Sequence, residues 1–173
     1  ADTSKIYDSK GGIIEYYGRK VRDSKPGGYG KISLARGFEL SSNTVLVQSV
    51  YDSYKNNPKQ FVDRINSYGL NKPLGLPIKG EGKPVIPQPG TNRWSGVALP
   101  WMAFGYGLSV TPLQTLTLYN AVANDGVMVK PIFVSEIKEW NKTIKKYNTE
   151  VINPKICSQE TLDKVQAVLE NVV

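Results

Sequence analysis

The sequence contains no histidine and only one cysteine, Cys157. Without histidine, the chain cannot form a Ser-His-Asp or Cys-His catalytic set, nor a metal site with histidine ligands. A single cysteine excludes an internal disulfide and a zinc site built from several cysteines. We expect Cys157, which precedes a predicted helix start, to be a packed small thiol rather than a nucleophile. Any acid–base chemistry must therefore use lysine, tyrosine, serine or carboxylate side chains.

Long apolar runs are also missing, since no stretch approaches the roughly 20 residues that a helix needs to cross a bilayer. The first residues, Ala1 to Lys5, carry neither a methionine nor the apolar segment of a signal peptide. The composition, with 40% hydrophobic residues and 16 glycines, excludes a disordered chain and a coiled coil. The 173 residues suffice for one core, but they end on the apolar pair Val172-Val173. We therefore expect a segment cut from a larger domain.

The net charge of +7 comes from 22 lysines and arginines against 15 acidic residues, and the excess is greatest in residues 1–36. Such a region attracts nucleic acid, an anionic membrane surface or an acidic polymer such as cell-wall glycan. A solvated basic face is the plainer alternative. Because the sequence has neither zinc-finger spacing nor the aromatic signature of ribonucleoprotein domains, we expect no nucleic-acid partner.

Apolar spacing and breakers divide the first hundred residues into predicted elements. Residues 1–30 should be extended, with turns at the glycine pairs. Helical spacing predicts a short helix through Ile32, Leu34, Phe38 and Leu40, a second through Val45, Leu46, Val50 and Tyr54, and a third from Pro58 to Gly69. Residues 69–100 hold six prolines and six glycines, which predicts a long ordered loop or lid.

The remaining residues predict two more helices and one hairpin. A helix starts at Thr111-Pro112 and ends at Asn124-Asp125-Gly126, with a buried side predicted along Leu113, Leu116, Tyr119 and Ala123. Two alternating stretches, 127–137 and 144–152, predict a β-hairpin at about 127–152 that turns within 138–143. Ser158 caps a last helix, with Leu162, Val165, Val168 and Leu169 facing inward.

The triplet Ser41-Ser42-Asn43 separates the first two predicted helices, which should hold its side chains on a short turn at the edge of a core. A serine hydroxyl gives and takes a proton, and an asparagine amide both donates and accepts, which suits gripping a peptide bond. The alternative is structural, because serine and asparagine are common helix caps and Asn43 could cap the second helix.

The stretch from Phe104 to Gln114 contains Gly105 and Gly107, which let the backbone approach a ligand closely, just before a capped helix. The alternative is a tight turn that packs Phe104 and Tyr106 into the core. The third glycine of a dinucleotide-binding fingerprint is absent, so we do not expect phosphate binding.

Three blocks of sequence, in order, resemble the transpeptidase domain of class B penicillin-binding proteins, in particular the septal cell-division type. They are Arg22-Asp23-Ser24-Lys25-Pro26-Gly27-Gly28-Tyr29-Gly30-Lys31-Ile32-Ser33 with Phe38-Glu39-Leu40-Ser41-Ser42-Asn43-Thr44, then Ala98 to Gln114, then Ala123-Asn124-Asp125-Gly126. The resemblance covers almost the whole chain. It implies an α+β (mixed α/β) fold, the helix-rich central portion of the beta-lactamase/transpeptidase-like fold, with residues 1–173 forming a partial domain.

The resemblance also assigns roles, since the family uses a Ser-x-x-Lys motif, a Ser-x-Asn motif and a Lys-Thr-Gly strand. It implies that Ser41 relays a proton and that Asn43 holds the peptide amide of the substrate, with Ser42, Tyr106 and Gly107 binding substrate nearby. The other two motifs are absent in their family context. Ser135-Glu136-Ile137-Lys138 fits Ser-x-x-Lys by spelling, but it follows Ser41 and ends a predicted strand, so we interpret it as chance.

The implied function of the intact protein is serine D,D-transpeptidation of peptidoglycan stem peptides ending in D-Ala-D-Ala, with beta-lactam binding, while the segment itself should be inactive. Metals and organic cofactors are not implied. Cell-division or elongation proteins are possible partners, and a periplasmic location with an upstream membrane anchor is expected. A D,D-carboxypeptidase or beta-lactamase-type hydrolase and a non-catalytic cell-wall scaffold are the alternatives.

Overall fold

A computed structural model describes residues 2–172, which form short antiparallel strand pairs around a set of helices. The strands are β1 (Ile6–Asp8), β2 (Ile13–Tyr16), β3 (Arg19–Arg22), β4 (Lys31–Ser33), β5 (Met128–Val129), β6 (Glu136–Glu139), β7 (Lys142–Lys146) and β8 (Val151–Asn153). The helices are α1 (Leu34–Glu39), α2 (Asn43–Tyr54), α3 (Pro58–Ser67), α4 (Ala98–Met102), α5 (Pro112–Ala123) and α6 (Gln159–Glu170). The expected α+β class is confirmed.

The first thirty residues are largely extended, as predicted. Strands β1 and β4 pair with Tyr7 opposite Ile32, and β2 and β3 form a hairpin with Ile14 opposite Val21. The prediction that Ile32 opens the first helix is wrong. That residue lies in β4, and α1 begins at Leu34 because the Ser33 hydroxyl caps it, accepting a hydrogen bond from the Arg36 amide at 3.1 Å.

The second and third predicted helices are confirmed as α2 and α3. One side of α2 is fully buried, and Val47 packs there against Ile14 and Val21 of the β2–β3 hairpin. Helix α3 begins at Pro58, whose missing N–H costs nothing at a first helical position, and it buries Val62. These contacts place the start of α2 directly beside the end of β3.

The breaker-rich segment is irregular over 69–97, as predicted, whereas its last residues belong to α4. It is held at several points along its length. The backbone of Val85 exchanges two hydrogen bonds with that of Ser109, at 2.7 and 2.8 Å. The side-chain Nε2 of Gln114 donates to the Lys72 carbonyl at 2.8 Å.

Helix α5 is present, but the prediction of its buried side is wrong. The buried residues are Gln114, Thr117 and Ala121, whereas Leu116 and Tyr119 are 60% and 52% exposed. Polar residues occupy the buried side because their hydrogen bonds are satisfied there. Gln114 reaches the irregular segment, and the Thr117 hydroxyl donates to a carbonyl one turn earlier at 2.7 Å.

The predicted hairpin at 127–152 is confirmed, with a short outer pair and a long inner pair. Strand β5 pairs with β8, while β6 pairs with β7 and carries the turn at Trp140-Asn141. The predicted turn, 138–143, is too long, because β6 extends to Glu139 and β7 begins at Lys142. Every side chain of β6 and β7 is exposed.

The last predicted helix is confirmed as α6, which the Ser158 hydroxyl caps by accepting from the Thr161 amide at 3.3 Å. Leu162 is buried as predicted, but Val165 is 37% exposed. Cys157 is partly buried and packs against the cluster formed by Ala121, Met128 and Ile156. Among residues 2–172, no helix is long and apolar enough to cross a membrane.

Candidate active site

Ser41 and Ser42 lie in the three-residue connection between α1 and α2, which starts at Leu40, and Asn43 is the first residue of α2. The Ser42 amide donates to the Gly37 carbonyl at 2.7 Å, and the Ser41 amide donates to the Phe38 carbonyl at 2.9 Å. This is the Schellman pattern, which requires a left-handed residue after the helix cap. Ser41 takes that conformation with φ of 52°, where glycine is the usual residue. Its side chain is exposed as a result.

A close approach of the two helices fixes the angle of this turn. Gly37 of α1 lies against Val45 of α2, and a Cβ atom added to Gly37 would lie 2.8 Å from the Val45 Cβ. Real Cβ atoms do not approach that closely, so glycine is required here for steric reasons. The turn therefore sits at a rigid corner between two packed helices.

Ser42 faces the protein interior and is fully buried. Its hydroxyl is the N-cap of α2, accepting from the Val45 amide at 3.3 Å. Its oxygen also lies 3.2 Å from Thr44 Oγ1. Ser42 caps α2 and Asn43 is its first residue, so the alternative role of Asn43 as a cap is wrong. With no exposed surface, the Ser42 side chain cannot touch a molecule in the neighbouring groove.

The end of strand β3 holds this turn from behind. The Asp23 carboxylate accepts from the Thr44 amide at 2.9 Å, from the Thr44 hydroxyl at 2.8 Å and from the Ser42 hydroxyl at 3.2 Å. The Arg22 carbonyl accepts from Asn43 Nδ2 at 2.8 Å. No sequence pattern predicts a role for Arg22 or Asp23. Their one available signal was their position in the first resemblance block.

Ser41 and Asn43 line one groove of about 520 Å³. Its other lining residues are mostly apolar: Phe38, Leu46, Ala103, Phe104, Tyr119, Leu169 and Val172. Tyr119, which was predicted to be in the core, thus faces the same space as Ser41. Among the residues described, no charged side chain lines this groove. The hydroxyl and amide are presented together, but within residues 2–172 no lysine or carboxylate lines the groove to activate a nucleophile.

Tyr106 and Gly107 lie in the loop after α4 and do not line that groove. Tyr106 is 62% exposed, and its ring contacts the ring of Phe104, with centroids 5.0 Å apart. Gly107 has φ of 74° and an open space where a Cβ would be. The contact between the rings of Tyr106 and Phe104 links this loop to the groove, because Phe104 also lines it.

The β2–β3 hairpin behind the turn contains Tyr16, whose pKa is raised above the ordinary value for a tyrosine. Burial raises the pKa of Tyr16 to about 12, and its ring packs on that of Tyr51 with centroids 4.6 Å apart. A hydrogen bond with Tyr17 raises the pKa of Tyr51 as well. Both phenols stay neutral at ordinary pH and act here as packing groups.

Two other sequence features lie away from the turn. Ser135 stands just before β6 and Lys138 lies within it, both on the exposed hairpin, where the Lys138 ammonium pairs with Glu136 at 2.7 Å. Neither has a buried partner or opens a helix. Within residues 2–172, no group of three or more cysteine or acidic side chains lies close enough to hold a metal ion.

Comparison with known proteins adds a family match. The model of the penicillin-binding protein transpeptidase domain matches residues 1–173. Penicillin-binding protein PbpB of Mycobacterium tuberculosis is 29% identical over 94% of the chain and 23% of its own length. Stage V sporulation protein D of Bacillus subtilis is 28% identical over 98% of the chain and 25% of its own length. The chain thus spans about a quarter of the length of these curated relatives.

A solved structure shows the same fold. The acyl-enzyme complex of penicillin-binding protein A from M. tuberculosis with ceftriaxone superimposes with a TM-score of 0.81. The match covers 99% of this chain and 38% of that one, at 18% identity. Because the identity is this low, the match supports the fold alone.

Proposed function

This chain belongs to the penicillin-binding protein transpeptidase domain family, and we propose that the protein containing it is a serine D,D-transpeptidase that cross-links peptidoglycan. In the proposed reaction, a serine hydroxyl attacks the D-Ala-D-Ala peptide bond of one stem peptide and releases the terminal D-alanine. The amine of a second stem peptide then attacks the resulting ester, which forms the cross-link and restores the serine. A beta-lactam acylates the same serine through its ring amide.

One observation carries this proposal: Ser41 and Asn43 present a hydroxyl and an amide side by side on a rigid corner facing an open groove. With Nδ2 held by Arg22, the Oδ1 atom of Asn43 is left to accept the N–H of a substrate peptide. Ser41 supplies a hydroxyl that passes a proton towards the leaving amine. Ser41 and Asn43 form one wall of the proposed catalytic site.

The uncharged lining of this groove supports a second part of the proposal, that residues 1–173 form only part of the transpeptidase domain. The nucleophilic serine and its lysine would come from a Ser-x-x-Lys motif elsewhere in the protein, and a Lys-Thr-Gly strand would supply the third wall. A neighbouring groove of about 650 Å³, mostly apolar but also lined by Asp2, Glu160 and Lys164, runs between α1, α2 and α6 and shares Phe38 and Leu46 with the first. We propose that the rest of the domain packs there.

The substrate would extend from this wall along the loop after α4. The exposed ring of Tyr106 contacts Phe104, which lines the groove, and the next residue, Gly107, has open space where a Cβ would be, so both are proposed substrate contacts. For Ser42, the buried hydroxyl supports a positioning role rather than direct binding. Action outside the cytoplasm, a membrane anchor and partners in a cell-division or elongation complex belong to the same proposal.

Labelled penicillin tests this proposal in the full-length protein. We expect a covalent label on a serine outside residues 1–173, located by peptide mapping. Ser41→Ala and Asn43→Ala should each slow acylation by about 100-fold or more, as loss of a proton-transfer or orienting group does. Ser135→Ala and Asn141→Ala on the exposed hairpin should not change the rate. No label, or a label on Ser135, would contradict the proposal. Analysis of the products of a stem peptide with an acceptor amine separates cross-linking from hydrolysis.

Ser41→Gly adds a sharper test because its two expected effects have opposite signs. Glycine relieves the left-handed strain and should raise the free energy of unfolding by up to about 1 kcal/mol. The same change removes the hydroxyl and should slow acylation as much as Ser41→Ala does. A thermal melt beside the acylation rate checks both. Unchanged acylation in a more stable Ser41→Gly protein would mean that Ser41 has only a structural role.

A further inference from the structure

We infer that Asp23 is a positioning residue that sets the orientation of Asn43 and Ser41 during acyl transfer, an inference that rests on the proposed function. Asp23 does not line the groove and cannot touch a substrate there. It acts on the far side of the turn, where its carboxylate accepts hydrogen bonds from Ser42 and Thr44.

The Asp23 carboxylate supplies a capping group to α2 from another element of the fold. The first amides of a helix have no partners within the helix. Ser42 satisfies the Val45 amide, and Asp23 satisfies the preceding one, that of Thr44, at 2.9 Å. A negative charge at this end also interacts favourably with the helix dipole. The start of α2, and with it Asn43, is therefore tied to the hairpin rather than free to fray.

Both oxygens of Asp23 are used. Oδ1 accepts from the Thr44 amide and Oδ2 from the Thr44 hydroxyl, while the Ser42 hydroxyl lies 3.2 Å from each. This arrangement fixes the rotation of the carboxylate about its own axis. It leaves the residue between Ser42 and Thr44, which is Asn43, with little freedom of its own.

The residue before Asp23 completes the support. The Arg22 carbonyl accepts from Asn43 Nδ2 at 2.8 Å, so a shift of Asp23 would move the group that orients the Asn43 amide. Arg22 pairs with Ile13 at the end of the β2–β3 ladder, and the hairpin is anchored by buried Ile14 and Val21. The rigid hairpin thus fixes the position of the Asn43 side-chain amide, which would bind the substrate.

The test compares wild type with Asp23→Ala and Asp23→Asn in the full-length protein. It measures the rate of penicillin acylation, normalised to the amount of protein that penicillin can label. Loss of hydrogen bonds to a charged group costs about 1.5–3 kcal/mol, so Asp23→Ala should slow acylation by roughly 10- to 100-fold. Asparagine keeps one acceptor, so Asp23→Asn should recover most of the rate. Asp63→Ala, which removes an exposed carboxylate of α3, is the matched control and should be neutral.

A double-mutant cycle separates positioning from general destabilisation. If Asp23 acts through Asn43, then Asp23→Ala should slow acylation much less in an Asn43→Ala background than in wild type. Equal effects in both backgrounds, or a wild-type rate in Asp23→Ala, would overturn the inference while the proposed function stands. A wild-type protein that penicillin does not label would overturn both. If Asp23→Ala does not fold, the same cycle is run with Thr44→Val, which keeps the shape of the side chain and removes the hydroxyl that donates to Asp23 at 2.8 Å.

Discussion

Two β-hairpins of similar length, with a similar alternation of apolar and charged residues, differ in burial in this molecule. In the β2–β3 hairpin, Ile14 and Val21 are 8% and 1% exposed and pack on α2. In the β6–β7 hairpin, every side chain is exposed, and Trp140 at its turn is 94% exposed. Both mix isoleucine or valine with lysines or arginines. The first hairpin carries Asp23 and Arg22 to the candidate site.

The contrast shows that a hairpin positions a site only when one of its faces is buried. An isolated two-stranded hairpin is marginally stable in water, because its strands bury little on their own. Helix α2 supplies the missing surface for β2–β3, and that same helix begins with Asn43. The contact with α2 that makes the β2–β3 hairpin rigid thus also positions Asn43. The predictions below test whether burial is the cause of the difference.

The largest expected effect comes from matched isoleucine truncations in the two hairpins. Ile14→Ala removes a buried side chain and should lower the free energy of unfolding by about 2–5 kcal/mol. Ile137→Ala removes one that is 45% exposed and should change it by less than about 0.5 kcal/mol. Denaturant titration of both variants measures the difference. Equal losses would mean that the exposed hairpin is buried in the protein as it exists.

A smaller effect is expected at two serine N-caps, one tied to the packed hairpin and one not. Ser42→Ala removes the cap of α2 and a buried partner of Asp23, so it should cost about 2 kcal/mol. Ser158→Ala removes the exposed cap of α6 and should cost about 0.5–1 kcal/mol. Thermal unfolding gives both values. A larger loss at Ser158 would reverse the ranking of the two sites.

The third prediction concerns high pH, where the packed hairpin should weaken first. The folded protein holds the pKa of Tyr16 at about 12, while an unfolded tyrosine titrates near 10. Between these values the unfolded chain has lost the proton and the folded chain keeps it, so the free energy of unfolding falls as pH rises. Tyr16→Phe should fall less steeply than wild type between about pH 10 and 12. Tyr147→Phe near the exposed hairpin is the control, and a parallel slope for Tyr16→Phe would contradict the assignment.

The smallest effect on stability is expected at the tip of the exposed hairpin. Trp140→Phe should leave the free energy of unfolding within about 0.5 kcal/mol of wild type. It should nevertheless remove most of the tryptophan fluorescence that a soluble quencher reaches, because Trp94 and Trp101 are partly buried. Quenching that is unchanged in Trp140→Phe would show that this ring is covered.

Much of the fold could be predicted from local patterns, and two of the misses share a cause. Helix α3 was predicted from Pro58 and helix α6 from Ser158, because a proline at the first position and a serine cap act within one turn. The buried side of α5 was mispredicted because Gln114 finds its partner in a segment 42 residues earlier in the chain. No local pattern contains that partner. The role of Asp23 was missed for the same reason, because its partners in the turn lie 19 and 21 residues later.

Residue identity and local spacing are enough to exclude histidine chemistry, to place Ser41-Ser42-Asn43 at a helix junction, and to show the resemblance to the transpeptidase family. Composition, breakers and short motifs suffice for those conclusions because each depends on residue identity or on neighbours within a few positions. That Ser41 and Asn43 face a groove while Ser42 faces Asp23 follows from how the folded chain packs. Which side of a turn is buried depends on what packs against it, and here that surface belongs to a hairpin distant in sequence.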